Sequence, residues 1–266
     1  MNALPRWFLR IQPLLLASLT LLLFGWLALT PPGLLGKADA IGYAVCHRIA
    51  ERSFLLGDRA VPLCSRCSGM YLGALAGFLF HLKFGRRGGL PPRHIQAVFA
   101  VFLLAFGLDG VNSYLTFFPG LAHLYQPFNG LRLMTGTLLG SAMASLLVPT
   151  FHQVVWQQWE DRPALGTLRQ LLALLVLAGV ISAAIDSENP LLIYPLALLS
   201  VASLVILLTL AYSMIWTLVL QCDNRFTSWN DLRPVLLLAV LTTLAQIAVI
   251  DALRYGLTGT WNGFSL

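Results

Sequence analysis

Apolar residues along this chain run in blocks far longer than a surface helix or a strand requires. Seven blocks approach the roughly 20 mostly apolar residues that a helix needs to cross a bilayer. They lie near Trp7–Leu29, Ser68–Phe84, Ile95–Phe117, Gly130–Val148, Leu168–Ile185, Leu191–Leu220 and Pro234–Tyr255. The second is short and extends into its flanks. The sixth is long, so it tilts or breaks at Pro195. The pattern predicts an all-α fold, a polytopic transmembrane helix bundle of about seven helices. The first block follows Arg6 and Arg10 and resembles a signal peptide at first sight. Its apolar run, Leu14 to Leu29, is long for that role and no small-x-small cleavage site follows, so we read it as an uncleaved first helix.

Composition agrees. Of 266 residues, 58% are hydrophobic and 11% charged, against roughly 25% charged in a soluble domain. The net charge is +6, and 15 of the 17 basic residues are arginine. No basic stripe lies on a soluble domain, which argues against a nucleic-acid partner. The bilayer is the expected partner, and the location expected is the cell inner (plasma) membrane, crossed several times.

The basic residues also orient the chain. Lys83, Arg86, Arg87 and Arg93 crowd the turn after the second block, and cytoplasmic loops are enriched in Lys and Arg. Arg162, Arg169, Arg225 and Arg233 agree, while the loops Phe118–Phe128 and Asp186–Pro190 carry no Lys or Arg. The N-terminus is then inside and the C-terminus outside. One stretch conflicts. Residues 31–67 fall outside yet hold Lys37, Arg48, Arg52, Arg59 and Arg66. Either the topology is inverted or these cations have another task, which we favour because most of them lie among cysteines.

Three of the four cysteines are in that stretch. Cys46 is followed by His47 and Arg48, then by Arg52-Ser53-Phe54, then by Cys64-Ser65-Arg66-Cys67 at the start of the second block, with Ser65 or Ser68 as a candidate N-cap. A helix N-terminus and a nearby arginine both favour a thiolate, so Cys64 and Cys67 are expected to be unusually acidic. Three thiolates and an imidazole (Cys46, Cys64, Cys67 and His47) make a familiar tetrahedral zinc set, although adjacent residues rarely point at one ion. A disulfide suits an oxidising outer face. Reduced, packed cysteines are the third reading.

A second group lies in the third and fourth blocks. Asp109 is 14 residues after Ile95, about 21 Å along a helix, and so toward the outer end of its span. Asn112 shares its face at i+3, as do Asn129 and Arg132 on the next helix. An ionisable group at that depth needs a partner, and Asp109 is expected to pair with Arg132. Asp109, Arg132 and His47 are the candidate catalytic residues. Arg48, Arg52, Arg66, Asn112 and Asn129 are the candidate anion-binding residues, since arginine forks suit a lipid phosphate, a carboxylate or another small anion.

Other features read as structural. Gly69, Gly73 and Gly77, and Gly136 and Gly140, recur every four residues, a spacing that lets helices approach closely. The seven tryptophans fall near helix ends. Asp251 and Arg254 are expected to neutralise each other, His81, His94, His123 and His152 are scattered, and Cys222 stands apart. No phosphate-binding loop, serine-hydrolase elbow or H-E-x-x-H is present.

The segments C-H-R-I-A-E-R-S-F, P-L-C-S-R-C-S-G-M-Y-L-G, D-G-V-N and N-G-L-R-L-M-T-G together resemble a family of prokaryotic membrane proteins known as domain of unknown function 2085. The likeness runs from about Cys46 to Gly140. It divides the chain into a membrane core at 1–150 and a C-terminal membrane extension at 151–266. The resemblance implies no activity. Three function classes stay open: a metal-dependent membrane protein acting on or binding an anionic group, a thiol–disulfide or quinone-linked redox protein, and a carrier or accessory subunit of a larger membrane complex.

Overall fold

The computed structural model describes residues 8, 10–118, 120 and 122–263. Arg6 and Trp7 lie outside them. Among the described residues the expected spans appear as α1 (Gln12–Leu29), α3 (Ser65–Leu82), α4 (Arg93–Leu115), α5 (Asn129–Val155), α6 (Leu168–Asp186), α7 (Pro190–Val219) and α8 (Trp229–Thr258). A shorter helix, α2 (Gly33–Val45), precedes the cysteine loop. All the spans but α3 are long and apolar enough to cross a membrane by themselves. The chain is a multi-pass helical membrane protein in contact with the lipid bilayer.

The less apolar α3 is the central helix. It packs on α5 along its length and also meets α6 and α7. The glycine spacing explains the closeness. A Cβ at Gly73 would meet the Thr137 carbonyl oxygen at 2.2 Å, and one at Gly140 would meet the Met70 oxygen at 1.8 Å. No side chain other than hydrogen fits between these backbones. Ser141 Oγ donates to the Gly73 carbonyl at 3.3 Å across the same seam. Because protein rather than lipid surrounds α3, it tolerates the serines, arginine and cysteines of its first turn.

The outer helices bury little: α1 has no buried residue and α4 buries one narrow face. On α4 the buried positions begin apolar (Ile95, Phe99, Phe102) and end polar (Asp109, Asn112, Ser113). That switch faces a polar region toward the end of α4, the end at which α3 and α5 begin. Helices α7 and α8 are joined by polar contacts, with Tyr212 donating to Gln246 at 2.7 Å and Trp216 to Thr242 at 3.0 Å. At the site end, β1 (Leu55–Leu56) pairs with β2 (Arg59–Ala60) in the cysteine loop, and at the opposite end β3 (Arg87–Gly89) pairs in parallel with β4 (Glu160–Pro163).

Candidate functional site

The cysteine loop is built so that three sulfurs converge. Cys46 ends α2 in extended backbone (φ −130°, ψ 147°). Gly42, one turn earlier, lets α2 touch the loop: a Cβ there would meet the Pro62 carbonyl oxygen at 2.1 Å. This contact brings Cys46 beside Cys64, which is itself the N-cap of α3. Cys64 thus takes the cap position expected of Ser65 or Ser68. Ser68 Oγ instead donates to the Leu63 carbonyl. Cys67 follows in the first turn, and the three ligand sulfurs lie within 4.8 Å of one another. All are free thiols.

The polar surroundings favour one thiolate among the three. The Cys64 amide donates to Cys46 Sγ at 3.3 Å and the Arg48 amide at 3.5 Å. Arg48 reaches back because it adopts the left-handed backbone region, φ 53°, rarely populated by residues with a Cβ. The Cys64 and Cys67 thiols, and then these amides, hold Cys46 well below the usual thiol range against its burial. The bond to Cys46, together with burial, pushes Cys64 up to about 11, so the acidic thiol is Cys46 and not the expected Cys64.

His47 does not join the sulfurs. It is exposed and stands outside the three-residue cluster. The reason is local, since consecutive side chains of extended backbone point to opposite sides. Arg48 likewise turns away. It pairs with Asp39 at 2.8 Å and donates to the Trp261 carbonyl at 3.0 Å. Arg59 pairs with Asp39 as well, and Lys37 donates to the Thr30 carbonyl at 2.9 Å near the end of α1. The conflicting cations of residues 31–67 are therefore engaged within the protein.

The other candidates meet above the start of α5. Asp109 is buried and takes Arg66, not Arg132, as its ion-pair partner. Arg66 Nε donates to Asp109 Oδ2 at 3.0 Å, and its Nη2 donates to the same oxygen, to the Asp109 carbonyl and to Ser113 Oγ. Arg132 is closer in sequence to the expected pairing but lies on α5 beneath Ser113. Its Nε donates to Ser113 Oγ at 3.4 Å and its Nη1 to Asn129 Oδ1 at 3.0 Å. Arg52 donates to the Ser113 carbonyl at 3.1 Å and lies 3.9 Å over the Phe117 ring. Burial, and then the charges of Arg132 and Arg66, lower the pKa of Arg52. Asn129 also donates to the Ser53 carbonyl at 3.4 Å. Asn112 donates to the Tyr125 carbonyl and accepts from the Leu124 amide, so it fixes the α4–α5 loop, and among the described residues it makes no hydrogen bond to the arginines.

Four participants lacked a sequence signal strong enough to single them out. Ser113 is the hub for Arg52, Arg66 and Arg132. Tyr125 donates to the free oxygen of Asp109 at 2.8 Å. Gly42 sets the loop contact. Arg254 on α8 donates to the carbonyls of Tyr43 and Cys46, at 2.5 and 2.7 Å, while Asp251 accepts from Trp26 on α1 at 2.9 Å. Arg254 thus ties the last helix to a candidate ligand residue, while its charge and that of Asp251 still favour each other as expected. Cys222 is buried at the other end of the bundle, where its Sγ donates to the Thr217 carbonyl.

The comparisons with known proteins converge on this segment. The family described as predicted membrane protein (DUF2085) matches residues 46–146, which include Cys46, Arg52, Cys64, Arg66, Cys67, Asp109, Asn129 and Arg132. An uncharacterized protein of Methanothermobacter thermautotrophicus is 30% identical over 111 residues, 42% of this chain and 91% of that protein. An uncharacterized protein of Methanocaldococcus jannaschii is 25% identical over 122 residues, 46% of this chain and 72% of that protein. No solved structure matches the chain. The loop, the sulfur cluster and the arginine cluster all fall inside the matched segment, and the chain belongs to the DUF2085 family of predicted membrane proteins.

Proposed function

We propose that this protein resides in the plasma membrane and holds a zinc-class metal ion on Cys46, Cys64 and Cys67 at the outer face. The adjoining arginines receive the anionic group on which that ion acts. The convergence of three free sulfurs within 4.8 Å carries the reading. Small rotations bring sulfurs at that spacing to about 2.3 Å from one ion. The amide bonds to Cys46 Sγ fit a thiolate ligand, because ligand atoms are commonly oriented by neighbouring donors.

The donor count separates two kinds of site. Structural zinc sites have four protein ligands, whereas catalytic ones keep an open position. Among the described residues the cluster offers three. A bound ion of this class supplies Lewis acidity. The protein's own contribution is orientation: Asp109 fixes Arg66 beside Cys67, and Arg52 and Arg132 approach from the loop and from α5. An outer location is supported by the internal engagement of Lys37, Arg48, Arg59 and Arg66, which leaves them poor indicators of the cytoplasmic side.

Elemental analysis of protein purified without added chelator tests the reading. We expect about one zinc-class ion per chain, and at least a tenfold loss in Cys64→Ser. A metal-free protein in which Cys64 and Cys67 cycle between thiol and disulfide would favour the redox class instead.

A further inference from the structure

We infer that the anion bound by Arg52, Arg66 and Arg132 carries a phosphoryl group. This deepens the reading of these arginines as an anion site, and it stands apart from the identity of any metal. Three guanidinium groups face one buried carboxylate, Asp109, at a place where Arg132 is only 6% exposed, and the exposed Glu51 acts on Arg52 from outside and lowers the excess to one positive charge. Buried cations without a counter-charge are costly, so the cluster favours a bound anion.

Shared contacts with Ser113 hold the three arginines close together. Arg52 Nη1, Arg66 Nη1 and Arg132 Nη2 make no hydrogen bond to the protein among the described residues, and none of them is sealed from open space. The groups that hold each arginine are satisfied through its other nitrogens. Arg66 is locked by Asp109, and Arg52 and Arg132 both rest on Ser113. Donors arriving from a loop and two helices suit a tetrahedral group with three terminal oxygens better than a planar carboxylate, which a single fork satisfies.

The depth suits either of two sources of the same chemistry. Arg66 and Arg132 occupy the first turns of α3 and α5, the level of the interface. Tyr114, Phe118, Leu124 and Phe128 form an exposed apolar rim nearby. A phospholipid headgroup and a water-borne phosphate both reach that level.

Detergent-purified protein titrated with inorganic phosphate, and with acetate as the carboxylate comparison, tests the inference through 31P line broadening and thermal shift. A parallel arm places the protein in nanodiscs of phosphatidylcholine with and without phosphatidic acid. We expect phosphate or phosphatidic acid to bind, acetate not to compete, and binding to weaken at least tenfold in Arg52→Gln and Arg132→Gln. A response to inorganic phosphate assigns a free anion. A response to phosphatidic acid alone assigns a headgroup. If Arg132→Gln does not fold, Arg52→Gln in the loop carries the test. Equal binding of acetate, unchanged binding in the foldable variants, or no binding in either arm overturns the inference. Metal content is measured on the same samples. Phosphoryl binding without metal leaves this inference standing and removes the metal reading, and metal without phosphoryl binding does the reverse.

Discussion

Gly140→Leu should remove nearly all folded protein from the membrane fraction. A Cβ at Gly140 falls 1.8 Å from the Met70 carbonyl oxygen and 2.7 Å from its carbon. The obstacle is backbone, which cannot rotate away as a side chain does. Overpacking a core ordinarily costs about 1–3 kcal/mol, and parting two backbones along a whole seam lies at or above the top of that range. The damage would spread because α3 is the helix on which α5, α6 and α7 all pack. The matching control is Gly107→Leu on α4, where a Cβ meets nothing within 4 Å. Fluorescence-detected size exclusion of tagged variants in mild detergent reads both. A monodisperse Gly140→Leu at wild-type yield would mean that the α3–α5 seam is not closed as described.

Asp109→Asn should be the most damaging single change within the site. Asp109 is 2% exposed and is the carboxylate partner of Arg66. Asparagine keeps the shape and still accepts from Tyr125, but it removes the charge. Breaking a buried ion pair by losing one partner costs about 3–5 kcal/mol, because the remaining charge stays buried. Here the penalty is sharpened by Arg52 and Arg132, whose repulsion with Arg66 is then unopposed. Removing both partners should hurt less, so Asp109→Leu combined with Arg66→Met is expected to unfold at a higher temperature than Asp109→Asn. Thermal unfolding in detergent ranks the three proteins. A single variant as stable as the parent would show the pair to be solvated.

Much of this architecture was legible in the sequence because lipid imposes a strong rule. Every span needs a long apolar run, so each of the seven blocks falls on a helix, although α5 runs seven residues past its block to Val155 and α8 starts five before its block at Trp229. The glycine spacings marked close-packing faces on the second and fourth blocks, and the fold joins those two faces as the α3–α5 seam. Ends were less legible. The sequence suggested a serine cap for α3, yet Cys64 holds that position, because the loop must deliver its sulfur to Cys46.

The site was legible as a list and less so as a geometry. Motif proximity grouped Cys46, His47 and Arg48, but extended backbone at Cys46 sends His47 outward, and the left-handed turn at Arg48 sends its side chain to Asp39. Depth placed Asp109 correctly and its partner incorrectly. Arg132 shares the matching helix end, but the long side chain of Arg66 spans from α3 to α4 and reaches the carboxylate first. Ser113 and Tyr125 gave no signal because a serine beside an asparagine and a tyrosine in a short loop are ordinary. Arg254 lay two hundred residues from the atoms it holds, and only the fold joins them.

The central claim is that Cys46, Cys64 and Cys67 bind one metal ion. X-ray absorption at the metal edge of the purified, unmodified protein tests it most directly. A trithiolate site should give about three sulfur scatterers at roughly 2.3 Å and one lighter atom, with the sulfur count falling to about two in Cys64→Ser. A first shell of nitrogen and oxygen only, or a protein with no bound metal and a Cys64–Cys67 disulfide, would contradict it.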